Sequence, residues 1–552
     1  MTFDFTTPEW VKDAVFYQIF PDRFARSKRV PKPSNLEPWG SPPTLYGFKG
    51  GDLLGVVEHL DYLEDLGINA IYFNPIFQSA ANHRYHTHDY YRVDPLLGGE
   101  TAFRTLLEEA HRRNIRIILD GVFNHASRGF FQFHHILENQ AASPYLGWFV
   151  VEDFPLNAYQ GTPNYQCWCN LPALPEFNTD HPEVRAFIFE VARYWLDQGI
   201  DGWRLDVPFC IDDDCFWQEF RRVVKEANPE AYIVGEIATD ATRWLQGDQF
   251  DAVMNYLFTI ACLGFFAGEG LNREILSAPV HEVLLLDAPA FARRVEELLA
   301  MYPREAVLAQ LNLLDSHDMP RFLTLARGDE AALRLATLFQ MTYPGAPCIY
   351  YGDETGMEGG PDPDCRRAFS WEESRWNTGL RDFVKQCIAL RKAHPALRRG
   401  EYTSLHAEAG VYAYLRRLEN DLLVVVLNND TPPHHLDVPM SDHLPDGTSL
   451  RNLMGSGEAS IVTGRLTGLT LPPRSGAVMA MGENRSAERS RRSLLPCQPL
   501  KKQPGQRAIE PPDRGCESLI SAQRGAQRGC WLYLAPLNSQ AHSAEPFPEI
   551  WS

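Results

Sequence analysis

No stretch of this chain approaches the roughly 20 consecutive apolar residues that a helix needs to cross a bilayer, so a helical membrane span is not expected. The first ten residues, MTFDFTTPEW, contain no basic cluster followed by an apolar run, and a signal peptide is not expected either. Positive charge is in short supply: 52 Lys and Arg stand against 71 Asp and Glu, a formal net charge of −19. A surface of that sign repels phosphate backbones and anionic lipid, which excludes nucleic acid and membranes as partners and leaves neutral ligands unaffected. A disulfide framework is missing as well. The 11 cysteines are odd in number and scattered, and the Cys167/Cys169 pair is not followed by a second Cys or His pair at zinc-finger spacing. Free thiols in a reducing compartment are expected, and the protein reads as cytoplasmic.

What is present is a long, ordinary globular composition. The 552 residues, 44% hydrophobic and 22% charged, suffice for one large domain and smaller modules. From residue 12 to 395, short apolar runs alternate with amphipathic helical stretches. AIYFNP, IRIILDGVFNH, IDGWRLDV, YIVGEI and CIYYGDE, starting at Ala70, Ile115, Ile200, Tyr232 and Cys348, read as buried strands that turn polar only at their C-terminal ends. Between two of them lies a helix with Pro182 in its first turn, apolar residues at helical spacing from Val184 to Leu196, and Gly199 placed to end it. Repeated strand–helix units predict a parallel sheet, doubly wound or closed as a barrel. A doubly wound nucleotide-binding fold would want a Gly-rich turn after its first strand, and FYQIFPDRF from Phe16 offers none.

One connection is too long for a simple loop. More than fifty aromatic-rich residues separate His125 from the helix near Pro182, the length of a functional insertion or subdomain. After Pro395 the pattern changes to GVYAYLRRL, DLLVVVLNN and SGAVMAM, which predict antiparallel strands joined by turns such as Glu419-Asn420-Asp421. The expected division is 1–125 and 183–396 for the main domain, 126–182 for the insertion, 397–482 for a C-terminal β-sandwich, and 483–552 for a disordered, Arg-, Gln- and Pro-rich tail.

Functional groups of a (β/α)8 barrel collect at the C-terminal ends of its strands. Those ends carry Asp120, Asn124 and His125 in DGVFNH, Arg204 and Asp206 in GWRLDV, Glu236 in GEI, and Asp315, His317 and Asp318 in LLDSHD. Each alone is ordinary: a strand-end Asp commonly caps a loop, His125 commonly satisfies one, and Arg204 and Asp206, two apart on one strand face, suit a structural ion pair. Their recurrence at successive strand ends is what points to chemistry. Glycoside cleavage needs one protonated carboxyl to protonate the leaving oxygen and one ionised carboxylate to attack the anomeric carbon. Neighbouring charges, Arg204 among them, would separate the two pKa values.

In order and spacing, DGVFNH, GWRLDV, GEI and LLDSHD resemble the four signature regions of the α-amylase superfamily, and ALPEFN from Ala173 resembles the fifth, inside that family's domain B. FYQIFPDRF, NHRYHTHDYY from Asn82, GDQFDAVMNY from Gly247 and PCIYYGDETGM from Pro347 are most similar to the neopullulanase, cyclomaltodextrinase and maltogenic amylase group. The resemblance covers about residues 10–482. It implies a (β/α)8 TIM barrel, with domain B inserted after the third strand and a C-terminal antiparallel β-domain. It also implies a retaining, endo-type α-glucan hydrolase acting on α-1,4 bonds of maltooligosaccharides, cyclodextrins, starch or pullulan. Asp206 would be the nucleophile, Glu236 the acid/base and Asp318 the carboxylate that holds the distorted sugar. Tyr85 would stack on that sugar, while His125, Arg204 and His317 would bind its hydroxyls or orient the carboxylates. Asp362 and Arg366, in DPDCR, would hold the next glucose unit.

The sequence departs from the group at four places. The barrel begins almost at once, where the group begins with a β-sandwich that forms its dimer, so oligomeric state is left open with a monomer as one option. Ala238 stands where the group usually has Trp, two residues after the acid/base. ARSKRVPK from Ala25 replaces an Asn/Asp-rich calcium loop, and position 210 is Cys where the commoner amylase calcium site has His. No cofactor is therefore expected, and calcium, open to backbone-oxygen ligation, is not favoured. A glycosyl transferase or isomerase would use the same residues. A non-catalytic homologue would be expected to lack one of the three carboxylates, and all are present.

Overall fold

The structure is a computed structural model that describes residues 5–481; the tail expected to be disordered lies outside the described residues. Eight short parallel strands form its centre: β1 Phe16–Ile19, β2 Ala70–Phe73, β3 Arg116–Gly121, β4 Gly202–Leu205, β5 Tyr232–Gly235, β6 Ala252–Val253, β7 Leu311–Leu313 and β8 Ala346–Tyr350. They neighbour one another in chain order, and β8 returns to β1 with Phe16 opposite Cys348. The circle closes between β6 and β7 through a parallel bridge from Met254 to Leu311, where the Asn255 N–H donates to the Leu311 carbonyl at 2.8 Å. This is the TIM barrel expected of the repeated strand–helix pattern. Its strands are buried along nearly their whole length, as the continuous apolar runs require.

The helix Pro182–Asp197 begins and ends as its sequence dictates, with Pro182 in the first turn and Gly199 just beyond in a left-handed conformation, φ 107°. Ahead of it, the aromatic insertion contains one regular helix, Phe131–Asn139, and is held together by its rings. Phe130, Phe149 and Phe177 pack on one another and on Tyr90 beside the barrel. The insertion is anchored to the end of β3 by main-chain bonds, Phe177 N–H to Asn124 O and Ala126 N–H to Pro175 O, both 3.0 Å. It therefore covers the C-terminal mouth at His125.

The C-terminal module is an eight-stranded antiparallel sheet, with a two-stranded ribbon beside it. Val411–Leu418, Asp421–Asn428 and Ser475–Met481 are antiparallel neighbours, as expected, and Glu419, at φ 53°, turns the chain between the first two of them. Two buried arginines join this module to the barrel. Arg391 donates to the Met341, Tyr343 and Leu397 carbonyls at 3.1 Å each and to the Gly345 carbonyl; Arg416 reaches the Thr342 and Gly400 carbonyls. Both face main-chain dipoles with no carboxylate in hydrogen-bond range, and burial pulls them down to about 9 and about 10. Among the described residues no helix is long and apolar enough to cross a membrane.

Candidate active site

Strands β3, β4 and β5 bring three groups to one point. Asp120 ends β3, Arg204 lies within β4 and Asp206 just past it, and Glu236 follows β5. One guanidinium holds them: Arg204 Nη1 lies 2.8 Å from Asp120 Oδ1 and 2.9 Å from Asp206 Oδ1, and Nη2 lies 3.0 Å from Glu236 Oε1. Asp318, on the loop after β7, stands apart from Arg204 and meets Arg366 Nη2 at 3.3 Å and His317 Nε2 at 3.2 Å. Exposure sorts the carboxylates. The Asp120 side chain is 0% exposed, whereas Asp206, Glu236 and Asp318 keep 9%, 15% and 18%. The last three can touch a ligand, and Asp120 can act only through Arg204 and its other partners.

A second chain of hydrogen bonds fixes the floor of the site. Gln18 on β1 donates through Nε2 to Asn74 Oδ1 at 3.0 Å and contacts His317 Nδ1 at 2.9 Å. Because an amide NH2 can only donate, this contact places the His317 proton on Nε2, 2.6 Å from the Tyr85 hydroxyl. Tyr85 in turn donates to Asp120 Oδ2 at 2.9 Å, as does Tyr72 at the same distance. The Tyr85 and His317 rings lie parallel, 6° between planes and 5.6 Å apart. Burial keeps His317 neutral, well below the ordinary histidine range, and Arg366 and Arg204 add to the effect. His125 is also buried and brought down to about 3; its Nε2 finds no hydrogen-bond partner. Trp168 of the insertion lies over it at 5.5 Å. An orphaned imidazole nitrogen under an indole is placed to meet a ligand hydroxyl.

The nine residues singled out in the sequence thus lie at the barrel's C-terminal mouth, in connected groups. Asp206, Glu236 and Arg204 form one group, while Tyr85, His317, Asp318 and Arg366 form another, with Asp362 bound to Arg366 Nη1 at 3.0 Å. Asp120 links the two through Tyr85 and Arg204, and His125 sits at the base of the insertion. The site also uses Gln18, Tyr72, Asn74 and Trp168, which were not singled out. A further donor is the main chain. Val207, directly after Asp206, sits at φ 35°, ψ 48°, a left-handed conformation rare for a β-branched residue, and its N–H points at Glu236 Oε2, 3.1 Å away.

The electrostatics follow from burying negative charge. Desolvation raises Asp206 well above the usual carboxylate range; Arg204 opposes it, and the charges of Glu236 and Asp120 reinforce it. Glu236 is raised by burial against the pull of Arg204 and the Val207 N–H. Asp318 is pushed up to about 7, by burial and then by Glu236, against Arg366 and Arg204. A carboxyl held above its unfolded value of about 3.9 favours the folded state fully below that pH, and this contribution is lost as pH rises through the folded value. The cost of the site to the fold therefore builds up between about pH 4 and 7 and is full above that. Asp318→Asn, which removes the charge and keeps the shape, is expected to raise Tm at pH 8 by about 2–5 °C and to raise it less at pH 4.5. Thermal melts at the two pH values check this; a fall at pH 8 would mean that the Arg366 pair outweighs the burial cost.

Comparison with known proteins matches residues 18–390 to the alpha amylase catalytic domain and residues 402–480 to the neopullulanase-like C-terminal domain. A cyclomaltodextrinase of Bacillus sp is 47% identical over 436 residues, 78% of this chain and 75% of that protein. Neopullulanase 2 of Thermoactinomyces vulgaris is 46% identical over 485 residues, 87% of this chain and 79% of the other. The crystal structure of a debranching enzyme from Nostoc punctiforme aligns with a TM-score of 0.80 at 50% identity, covering 87% of this chain and all of that one.

Proposed function

Since this chain belongs to the α-amylase family and is a glycoside hydrolase of it, we propose that it cleaves α-1,4 bonds within maltooligosaccharides, cyclodextrins, starch or pullulan by double displacement, with retention at the anomeric carbon. The observation that carries this reading is the grip of one guanidinium, Arg204, on both Asp206 and Glu236. It holds the two carboxyl groups on one cation, which suits the closely spaced pair of a retaining enzyme, about 5–5.5 Å apart.

In the first step Glu236 gives its proton to the glycosidic oxygen while Asp206 attacks the anomeric carbon. The carbon–oxygen bond breaks, a glucosyl ester forms on Asp206, and the aglycone leaves as an alcohol. In the second step Glu236, now ionised, takes a proton from a water whose oxygen displaces Asp206. Burial raises Glu236 towards the pH at which it can both give and take that proton. At Asp206 the Arg204 guanidinium favours the ionised nucleophile, against burial and the charges of Glu236 and Asp120, which raise it. Asp318, held by Arg366, faces the ring hydroxyls, Tyr85 underlies the ring, and the free His125 Nε2 and His317 take further hydroxyls. Asp362 and Arg366 hold the adjoining unit.

No metal enters this reading. Lys32, the last residue of ARSKRVPK, places its ammonium 3.0 Å from Asp52 Oδ2 and 2.7 Å from the Leu96 carbonyl, supplying internally the positive charge that this buried carboxylate requires. A cytoplasmic setting agrees with the eight described cysteines, all free thiols.

The test is a time course on pullulan, β-cyclodextrin and soluble starch with products resolved, run with and without EDTA. Shortened α-glucans, panose from pullulan and equal rates in the two conditions are expected. Products longer than the substrate would mark transfer, and loss of activity in EDTA would restore a metal to the site.

A further inference from the structure

We propose that Gln18, on β1, is a positioning residue of the reaction: its side-chain amide gives every hydrogen bond in the floor of the site one direction, which keeps His317 a donor at Nε2 and Asp120 an acceptor at both oxygens. The inference rests on the hydrolytic reading above for its kinetic consequences and on geometry alone for its proton positions.

The strands place the group. Gln18 lies opposite Tyr72 on the neighbouring strand β2, and Asn74, two residues after Tyr72, falls on the same face. Gln18, Tyr72, Asn74 and His317 are completely buried, so their polar atoms have to be matched inside the protein. Of their side-chain atoms, only Gln18 Oε1 finds no hydrogen-bond partner, and the residue is therefore held through its NH2.

The direction of the network can be read from its far end. Asp120 Oδ1 meets Arg204 Nη1 at 2.8 Å, and its Oδ2 lies 2.9 Å from both the Tyr72 and the Tyr85 hydroxyls. A carboxylate only accepts, so both phenols spend their protons on it. The Tyr85 hydroxyl is then left to accept from His317 Nε2 at 2.6 Å and from Asn74 Nδ2 at 3.1 Å. This leaves His317 Nδ1 bare, facing Gln18 Nε2 at 2.9 Å, and turns Asn74 Oδ1 to the same nitrogen at 3.0 Å. The two protons of one amide thus match the two acceptors that the charge on Asp120 demands. Burial raises Asp120, and Arg204 with the Tyr85 and Tyr72 hydroxyls opposes it, so a phenol turned away weakens that opposition. The His317 proton also lies 3.2 Å from Asp318 Oδ1, which carries the direction of the floor to a third carboxylate. The charged and titratable groups around His317 are Tyr85 and His83 after β2, Arg204 on β4, Asp318 beside it, and Arg366 and Cys365 after β8; β1 contributes the neutral Gln18.

The experiment compares Gln18→Glu with Gln18→Met on maltotriose across pH. An ionised carboxylate at this place only accepts, so the His317 proton moves to Nδ1, Nε2 becomes an acceptor, and the Tyr85 proton leaves Asp120. One further proton on the carboxylate–imidazole pair restores the Nε2 donor, whichever partner holds it. In Gln18→Glu, kcat is expected to fall by about tenfold or more at the wild-type optimum and to recover as pH falls, which moves the optimum down. Added negative charge acting through space alone would raise the neighbouring carboxyls and move the optimum up. Gln18→Met, which removes both donors and adds no charge, is expected to lose about three- to tenfold with its optimum in place. An optimum that stays or rises in Gln18→Glu, or an undiminished kcat in either variant, would overturn the proposal. The nitrogen NMR shifts of His317, identified by the signals lost in His317→Asn, give a readout independent of activity. Nδ1 is expected to be bare in the wild type and protonated in Gln18→Glu at neutral pH. A proton on wild-type Nδ1 sinks the proposal even if neither variant folds. A wild type with a bare Nδ1 that turns over no α-glucan would instead overturn the hydrolytic reading, and with it the part of Gln18 in that reaction.

Discussion

Asp206→Asn is expected to lower kcat on maltooligosaccharides by at least about four orders of magnitude while leaving the protein folded. The amide occupies the carboxylate's place, and its oxygen can still accept from Arg204 Nη1, 2.9 Å away in the wild type. What disappears is the electron pair that attacks the anomeric carbon. Because burial makes the charge itself costly, the variant should melt no lower than the wild type. Binding of maltoheptaose should survive, since the stacking and hydroxyl contacts are on other residues. Residual turnover within tenfold of wild type, in a preparation free of contaminating amylase, would reassign the nucleophile.

Glu236→Gln separates the two halves of the reaction. Without a proton to give, natural glucans, which have poor leaving groups, should slow by about 10²–10⁴-fold. An α-glucosyl fluoride needs little protonation, so its first step should persist and the ester on Asp206 should accumulate. Azide, a nucleophile that needs no base, should then restore turnover. It must attack the face opposite Asp206, so the expected product is the α-configured glucosyl azide; a β-azide would mean that the altered residue was the nucleophile. The structure adds a cost to this variant. One oxygen of Glu236 accepts from the Val207 N–H and the other lies 3.0 Å from Arg204 Nη2 in an ion pair, and a glutamine must turn its NH2 against one of these groups. Tm should therefore fall, unlike in Asp206→Asn, and the two melts together distinguish a lost charge from a mismatched donor.

The strand ends carried most of what could be read in advance. Apolar runs that turn polar at one end, as in IRIILDGVFNH, report both a buried parallel strand and the groups it delivers to the mouth. Strand β6 was harder to see, because only Ala252 and Val253 pair regularly and barrel closure falls to Met254 and Asn255. Gln18 and Tyr72 read as interior residues of apolar strands, and nothing local says that Gln18 will meet His317, 299 positions away. Asp120 was visible as a strand-end carboxylate, but its sealed position at the junction of Arg204, Tyr72 and Tyr85 is a product of tertiary packing. Trp168 belongs to the aromatic insertion, whose irregular path has no periodicity to follow.

Local propensity would have placed Val207 in an extended strand, whereas the structure holds it at φ 35°. A β-branched side chain in that conformation stores on the order of 1–3 kcal/mol, kept in place by the surrounding packing. Selection for heat resistance and selection for turnover should therefore disagree at this one codon. The first should accept glycine, which relaxes the turn. The second should reject it, because a relaxed peptide no longer keeps its N–H trained on Glu236. A library randomised at position 207 and sorted separately for survival on heating and for activity would show that divergence; glycine enriched in both pools would mean that the constraint serves the fold alone.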